Sequence, residues 1–347
     1  MRDNADRKVV NTMERLYFDR IKTQISAVTA EQVLELEDVI DHFTSQKFTE
    51  MALARRTRKT LQTRTCPHCQ SNDIALHGRD QNGRQRFKCR GCRKTYNILT
   101  GTPMARARKP EKWGQYLACM TEHMSVRNIV ASGIGVHQVT AWRWRHRFLQ
   151  AAANDNAAVL SGVIEADETF FPRSFKGSRG WKNGNPPDNR AARLRGWAVT
   201  KLGLPDEQVP VLTALDNSGG VFQEILTSLT EIGAALQGRI AAGSVLCSNG
   251  NAVYVTVADK ANAEHYAIIV PTTTQSAGKM EPSVTRARKP QRLGLRRVKS
   301  HHQRQKYLIN EQCRGVATKY LDHYLGWHRA MSRSDFAGKT LLLQALA

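Results

Sequence analysis

The sequence predicts an α+β chain of several domains, and three observations predict it. Two C-x-x-C knuckles, Cys66/Cys69 and Cys89/Cys92, stand about twenty residues apart. An arginine-rich helical stretch follows a glycine-containing turn near Gly133 and Gly135. Beyond residue 160 the apolar pattern changes from helical to strand spacing. These give a helical N-terminal segment at 1–60, a small cysteine domain at 61–104, a three-helix segment at 105–152 and a mixed α/β region at 160–335.

The first element is a helix at 31–57. Val33, Leu36, Val39, Ile40 and Phe43 recur at helical spacing, with acids toward the start and arginines at the end, as the helix dipole prefers. The knuckles come next. Each is a tight turn that aims two sulfurs at one ion, and the pair at this spacing is the form of a tetrahedral thiolate Zn²⁺ site. A hairpin with its turn at Asp80-Gln81-Asn82-Gly83 fits between them. Phe87 and Tyr96 are placed to pack over the ion in a domain too small to have a core of its own. TGTPM at 100–104 closes this zinc ribbon.

Pro110 suits a helix start. KWGQYLACMTEHM, SVRNIVASGIGV and VHQVTAWRWRHRFLQAA then read as three helices, the order of a helix-turn-helix. Val139, Trp142, His146 and Leu149 form the expected apolar stripe of the third. Arg143, Arg145 and Arg147 project elsewhere, toward phosphates or base edges. Residues 151–162 are a small, polar linker. Strands are expected at 163–171, 195–203, 208–216, 244–250 and 265–271, and helices at 221–237 and 315–331. Residues 172–194 and 272–297 read as long basic loops.

Charge names the partner. The net charge is +22, from 52 Lys/Arg against 30 Asp/Glu. Residues 51–112 carry sixteen basic and three acidic residues, and residues 271–306 carry ten and one. Two separated clusters, one on a ribbon whose Lys88 and Arg90 are candidate DNA contacts, point to double-stranded DNA. No stretch approaches the roughly eighteen apolar residues of a membrane span. The charged N-terminus and the scattered Cys119, Cys247 and Cys313 point to a reduced, cytoplasmic protein associated with the nucleoid.

The first strand of the mixed region contains Glu165-Ala166-Asp167-Glu168-Thr169. In a basic, DNA-binding chain, an acid projecting from a strand centre suggests a nuclease or strand-transfer site, where three such ligands hold two Mg²⁺ ions. Alternation puts Glu165, Asp167 and Thr169 on one face and Glu168 on the other, so spacing leaves Glu165 and Asp167 as rivals.

The ribbon, the helix-turn-helix, IEADETFF, CSNGNAVY and GVATKYLDHYLGW together resemble bacterial insertion-sequence transposases of the zinc-ribbon type related to the Merlin transposons, over about residues 60–330. The resemblance implies an RNase H-like DDE catalytic domain, Mg²⁺ or Mn²⁺, DNA recombination at element ends and self-association. It also implies Asp167 as first metal ligand. The family's second acid stands in a Ser-Asp-Gly strand end, read here as Ser248-Asn249-Gly250. Its third ligand is an Asn, Glu or His seven positions before a lysine, in a pattern like V-N-S-x-H-x-R-x-K, read here as Val298 to Lys306, so that Lys299 holds the ligand position and Lys306 keeps the downstream lysine.

Both departures bear on the metal. Asn in place of Asp removes an anionic oxygen, and an ammonium repels a divalent cation. Glu165, Glu168, Asp259 and His301 are the groups that could substitute, while His301 and His302 read as surface histidines beside DNA phosphate. Three functions compete: a transposase, a catalytically dead relative that occupies element ends as relic or competitor, and a zinc-ribbon transcriptional regulator. The strand-rich half and its tail motif speak against the last.

Overall fold

The computed structural model describes residues 19–20, 23–24, 29–153, 156–182, 207–268, 293–333 and 338–346. They fall into two compact units, the first made of residues up to 101 and 105–141, the second chiefly of residues 142–345. The expected strand at 195–203 and most of the two basic loops lie outside the described residues. Among the described residues no helix is long and apolar enough to cross a membrane.

In the first unit, helix α1 (Ala30–Thr63) runs into the ribbon. Arg56 Nε on its last third donates to the Ile98 carbonyl at 2.5 Å. The ribbon is a three-stranded antiparallel sheet of β1 (Ile74–Arg79), β2 (Gln85–Cys89) and β3 (Thr95–Asn97), in that order. Its turn forms where expected. Asp80 Oδ1 accepts the backbone N–H groups of Asn82 and Arg84, and Gly83 takes φ 73°, a conformation that costs glycine little.

Three helices follow: α2 (Trp113–Thr121), α3 (Val126–Ala131) and α4 (Gln138–Ala153). Ser125 caps α3 by accepting the Asn128 N–H at 3.1 Å. The turn before α4 uses Gly133 and Gly135, both at positive φ. Its carbonyls are not left open: Lys112 Nζ donates to Ile134 and Lys109 Nζ to Gly135. The expected apolar stripe of α4 needs correction. Ala141, Trp144, Phe148 and Ala152 are buried with Leu149, whereas Val139 and Trp142 are 48% and 42% exposed. The buried stripe is displaced around the helix, and aromatic content alone did not reveal which face packs.

The second unit is built on a five-stranded sheet, ordered β6-β5-β4-β7-β8. Its strands are β4 (Val163–Pro172), β5 (Gln208–Leu215), β6 (Val221–Ile225), β7 (Val245–Ser248) and β8 (Glu264–Ala267). β5 is antiparallel to β4 and β6, while β4, β7 and β8 run parallel. The helix expected at 221–237 is therefore wrong over its first third. Val221, Phe222 and Ile225 pair in β6, and only after Ser228 does the chain turn into a 3-10 turn and the four-residue α5 (Ile232–Ala235). β-branched and aromatic residues beside an available edge outweigh helical periodicity there.

Both faces of the sheet are covered. Ile164, Ala166, Leu212, Ala214 and Leu246 pack on one side with α5 and α6 (Val253–Ala261), through Ile232, Tyr254 and Val257. On the other side lie α7 (Arg296–Lys306), which contributes Val298 to a cluster with Leu215 and Cys247, and α8 (Leu321–Met331), whose Leu321 and Leu325 meet Phe171 and Val211. A 3-10 turn at Thr318–Tyr320 lies within the tail motif at 315–327, and α9 (Gly338–Leu346) follows α8. Gly326 explains part of that motif: a Cβ there would sit 2.4 Å from Ala153 Cα and 2.5 Å from the Ala152 carbonyl oxygen. Arg329, buried, donates to the Ala153 carbonyl at 2.9 Å and to Gln223 Oε1 at 3.2 Å. The motif is thus a close helix crossing secured by a buried guanidinium.

Candidate metal centre and carboxylate site

The ribbon sulfurs converge. Cys66 Sγ lies 3.7 Å from Cys92 Sγ and Cys69 Sγ 3.6 Å from Cys89 Sγ, and all four lie within 4.8 Å of one another. A tetrahedral ion with bonds of ~2.3 Å needs sulfur–sulfur edges of ~3.8 Å, so the donor set suits structural zinc. The backbone assists. His68 N–H points at Cys66 Sγ and Cys92 N–H at Cys89 Sγ, and the latter contact leads in holding the Cys89 thiol down to about 7. Cys69, despite the Ser71 backbone hydrogen bond, is pushed up to about 11 by the other sulfurs. Four sulfurs at this spacing form the donor set of one tetrahedral cation. Phe87 and Tyr96 stack at 5.2 Å beside the site, both buried. Lys88 and Arg90 are exposed, Arg90 lying 3.5 Å from Asp73 in a weak surface pair. On α4, Arg143 is exposed while Arg145 and Arg147 are half-buried.

The second site assembles across the sheet. β4 and β7 are parallel, with Glu165 opposite Cys247. Two residues further along each strand, that register brings Asn249 beside Asp167. Asn249 Nδ2 donates to Asp167 Oδ1 at 3.2 Å and to Glu168 Oε2 at 2.8 Å. Its orientation is fixed, because Asn249 Oδ1 accepts the Asn251 N–H at 3.2 Å. Glu168 Oε1 accepts from the buried Tyr254 hydroxyl at 2.5 Å. Burial, then the neighbouring Glu168 charge, raise the Asp167 carboxyl, while Lys299 and the Asn249 amide pull it the other way.

Glu165 and Asp167 no longer compete. Glu165 is buried and accepts the Arg297 N–H at 2.8 Å, Arg297 Nε at 2.9 Å and the Val298 N–H at 3.0 Å. Leu295, the residue preceding α7, offers no side-chain oxygen, so a carboxylate from β4 caps this helix. Arg297 also donates to the Asp216 and Val163 carbonyls. Glu165 is a strut that lays α7 across the sheet.

On α7, Lys299, His302 and Lys306 share a face by helical spacing. The His302 ring is buried, with Nδ1 4.0 Å from Asp167 Oδ2. Burial, then Lys306, pull its pKa down to about 4, so the ring is neutral near pH 7 and the contact is not an ion pair. The expectation of surface histidines is corrected here. His301 is buried too, and its ring stands 4.5 Å from that of His328 on α8. Adjacent residues on a helix point about 100° apart, so the two histidines serve different neighbours. Asp259 sits on α6, where its charge acts on His265.

Mg²⁺ needs near-octahedral oxygen at ~2.0–2.1 Å. Around Asp167 an amide N–H₂ already bridges the two carboxylates, and the Lys299 ammonium adds positive charge on the same side. Among the described residues, the cysteine quartet alone groups three or more Cys, His, Asp or Glu donors closely enough for an ion. These residues do not fit a two-metal set. Sequence reading missed Tyr254 and Arg297 as parts of this neighbourhood. The spacing of His302 from Lys299 was the signal that could have placed His302 beside Asp167.

The zinc-ribbon family described as the InsA N-terminal domain matches residues 63–93. The chain is 28% identical over 159 residues to the uncharacterized protein in transposable element ISH50 of Halobacterium salinarum, covering 45% of this chain and 50% of that one. It is 40% identical over 45 residues to the insertion element iso-IS1N protein InsA of Shigella dysenteriae, covering 13% and 47%. The chain thus spans about half the length of each of these curated relatives.

Proposed function

We propose that this relative of insertion-element proteins binds the ends of its own element through the ribbon and a helix-turn-helix, and that its strand-transfer centre is disabled as written. The observation that carries the reading is the Asn249 amide bridging Asp167 and Glu168 where a divalent cation would have to sit. Several features support the rest. A sheet ordered β6-β5-β4-β7-β8, with β5 antiparallel and β4, β7 and β8 parallel, is the topology expected of an RNase H-like domain. The DDE reading places its first acid on the central strand and its second at the end of the neighbouring parallel strand, where Asp167 and Asn249 stand. α4 leaves Gln138, Val139, Trp142 and Arg143 exposed on its N-terminal half, the part of a recognition helix that meets base edges. The net charge of +22 supplies the phosphate affinity.

Chemically, the chain's own residues perform the holding rather than the cutting. Asn249 and Tyr254 hold the acids by hydrogen bonds, Glu165 and Arg297 fix α7, and among the described residues the carboxylates around Asp167 form no group of three or more donors close enough to collect a metal ion. The function is occupation of element-end DNA, as a competitor or relic of an active transposase. The test uses purified protein, labelled element-end duplex and Mg²⁺ or Mn²⁺, with binding and nicking scored separately. Binding without nicking is expected. Metal-dependent nicking that disappears in Asp167→Ala would overturn the disabled centre.

A further inference from the structure

The face of α7 above Asp167 has a use that the lost metal chemistry does not supply. Its sequence, RRVKSHHQRQK, contains no acid. Arg296, Lys299, Arg304 and Lys306 are exposed, and among the described residues no acid pairs with any of them. Lys299 and Lys306 are seven residues apart, hence on one face and ~10.5 Å apart along the axis. Arg297, the remaining cation of the helix, is spent on Glu165 and two carbonyls. The helix is therefore fixed by one arginine while its outer cations stay available.

In a metal-dependent strand-transfer site the divalent ion does two electrostatic jobs. It neutralises the clustered carboxylates, and it presents positive charge to the DNA phosphate. Here the jobs are divided between side chains. The Asn249 amide donates to both carboxylates. Lys299 stands one helical turn before His302, whose ring nitrogen lies 4.0 Å from Asp167, so its ammonium rises from the helix face that meets this carboxylate. We propose that Lys299 seats a backbone phosphate of duplex DNA beside Asp167, with Lys306 holding the same strand further along α7, so that DNA is gripped at the former catalytic centre without a divalent ion. This rests on the DNA-binding reading above and adds a contact that neither the ribbon nor the three-helix segment provides.

The experiment measures affinity of the full, zinc-loaded chain for a fluorescent duplex by anisotropy over a salt series, in buffer with and without magnesium. Each variant's fold is checked by thermal melting. Each neutralised phosphate contributes ~0.9 to the slope of log affinity against log salt. Lys299→Gln is expected to lower that slope by about one, and Lys299→Arg to restore it, with no magnesium dependence in the parent. Firm binding by the parent with slope and affinity unchanged in a folded Lys299→Gln would overturn the phosphate seat and leave the DNA reading standing. So would parent binding that requires magnesium. Absence of duplex binding by the parent would overturn both.

Discussion

The zinc ribbon and the carboxylate site on β4 both gather cation-seeking side chains, and they neutralise them in opposite ways. In the ribbon four sulfurs converge at the spacing of one tetrahedral metal ion. At β4 the space between Asp167 and Glu168 is bridged by an amide, with an ammonium nearby. The first unit should therefore depend on metal for its fold, and the second should not. The difference teaches that cation-seeking side chains can be gathered around a metal-sized space or held by neighbouring amide and hydroxyl donors.

Four perturbations break or sharpen this contrast. The largest is removal of the ribbon metal. A structural zinc site contributes ~10 kcal/mol or more of folding free energy, so Cys66→Ser or Cys89→Ser should unfold the ribbon, abolish stoichiometric zinc by atomic absorption and weaken DNA binding. A strong chelator should melt the first unit while the thermal transition of the second stays in place. If both units melt together on chelation, the contrast fails.

Next is the strut. Glu165→Ala leaves Arg297 without its acid and α7 without its cap. A loss of about 3 kcal/mol in urea unfolding of the second unit is expected, the low end for a broken buried pair because Arg297 is partly exposed. Glu168→Gln, with its partner tyrosine still able to donate, should cost less than half of that.

Acid comes third. His302 and His328 are held neutral, each down to about 4 by burial first, against an ordinary 6.5. The unfolded chain takes up these protons first. Their contribution is full above about pH 6.5 and is lost as pH falls toward 4, at about 3 kcal/mol for each ring. Denaturant midpoints of the second unit across that window check the slope, and His328→Leu should flatten it. Last is Gly326→Ala. Overpacking against Ala153 and the Ala152 carbonyl should cost about 2 kcal/mol, read as a lowered melting temperature with no change in zinc content.

What was legible in the sequence follows the same division. The ribbon is a short-range object: two turns, one hairpin and two aromatic rings, all within about thirty residues, so spacing alone revealed Cys66, Cys69, Cys89 and Cys92. The carboxylate site is a long-range one. Asp167 meets Asn249 only through the parallel register of β4 with β7, and resemblance rather than periodicity pointed to that pair. Nothing local in Glu165 says that it caps a helix more than a hundred and thirty residues later. Likewise 221–237 carries a helical pattern, yet β5 offers Val221–Ile225 an edge to pair with. The exposed Val139 and Trp142 escaped notice because apolar residues at helical spacing read as core whether a helix buries that face or offers it to a partner.

One measurement reaches the central claim directly: Mn²⁺ binding to the full, zinc-loaded chain, followed by the loss of free-ion electron paramagnetic resonance signal. The parent should take up no stoichiometric Mn²⁺ at the β4 site, and Asn249→Asp combined with Lys299→Asn should create one. Stoichiometric Mn²⁺ bound by the unmodified chain and lost in Asp167→Ala would contradict the account.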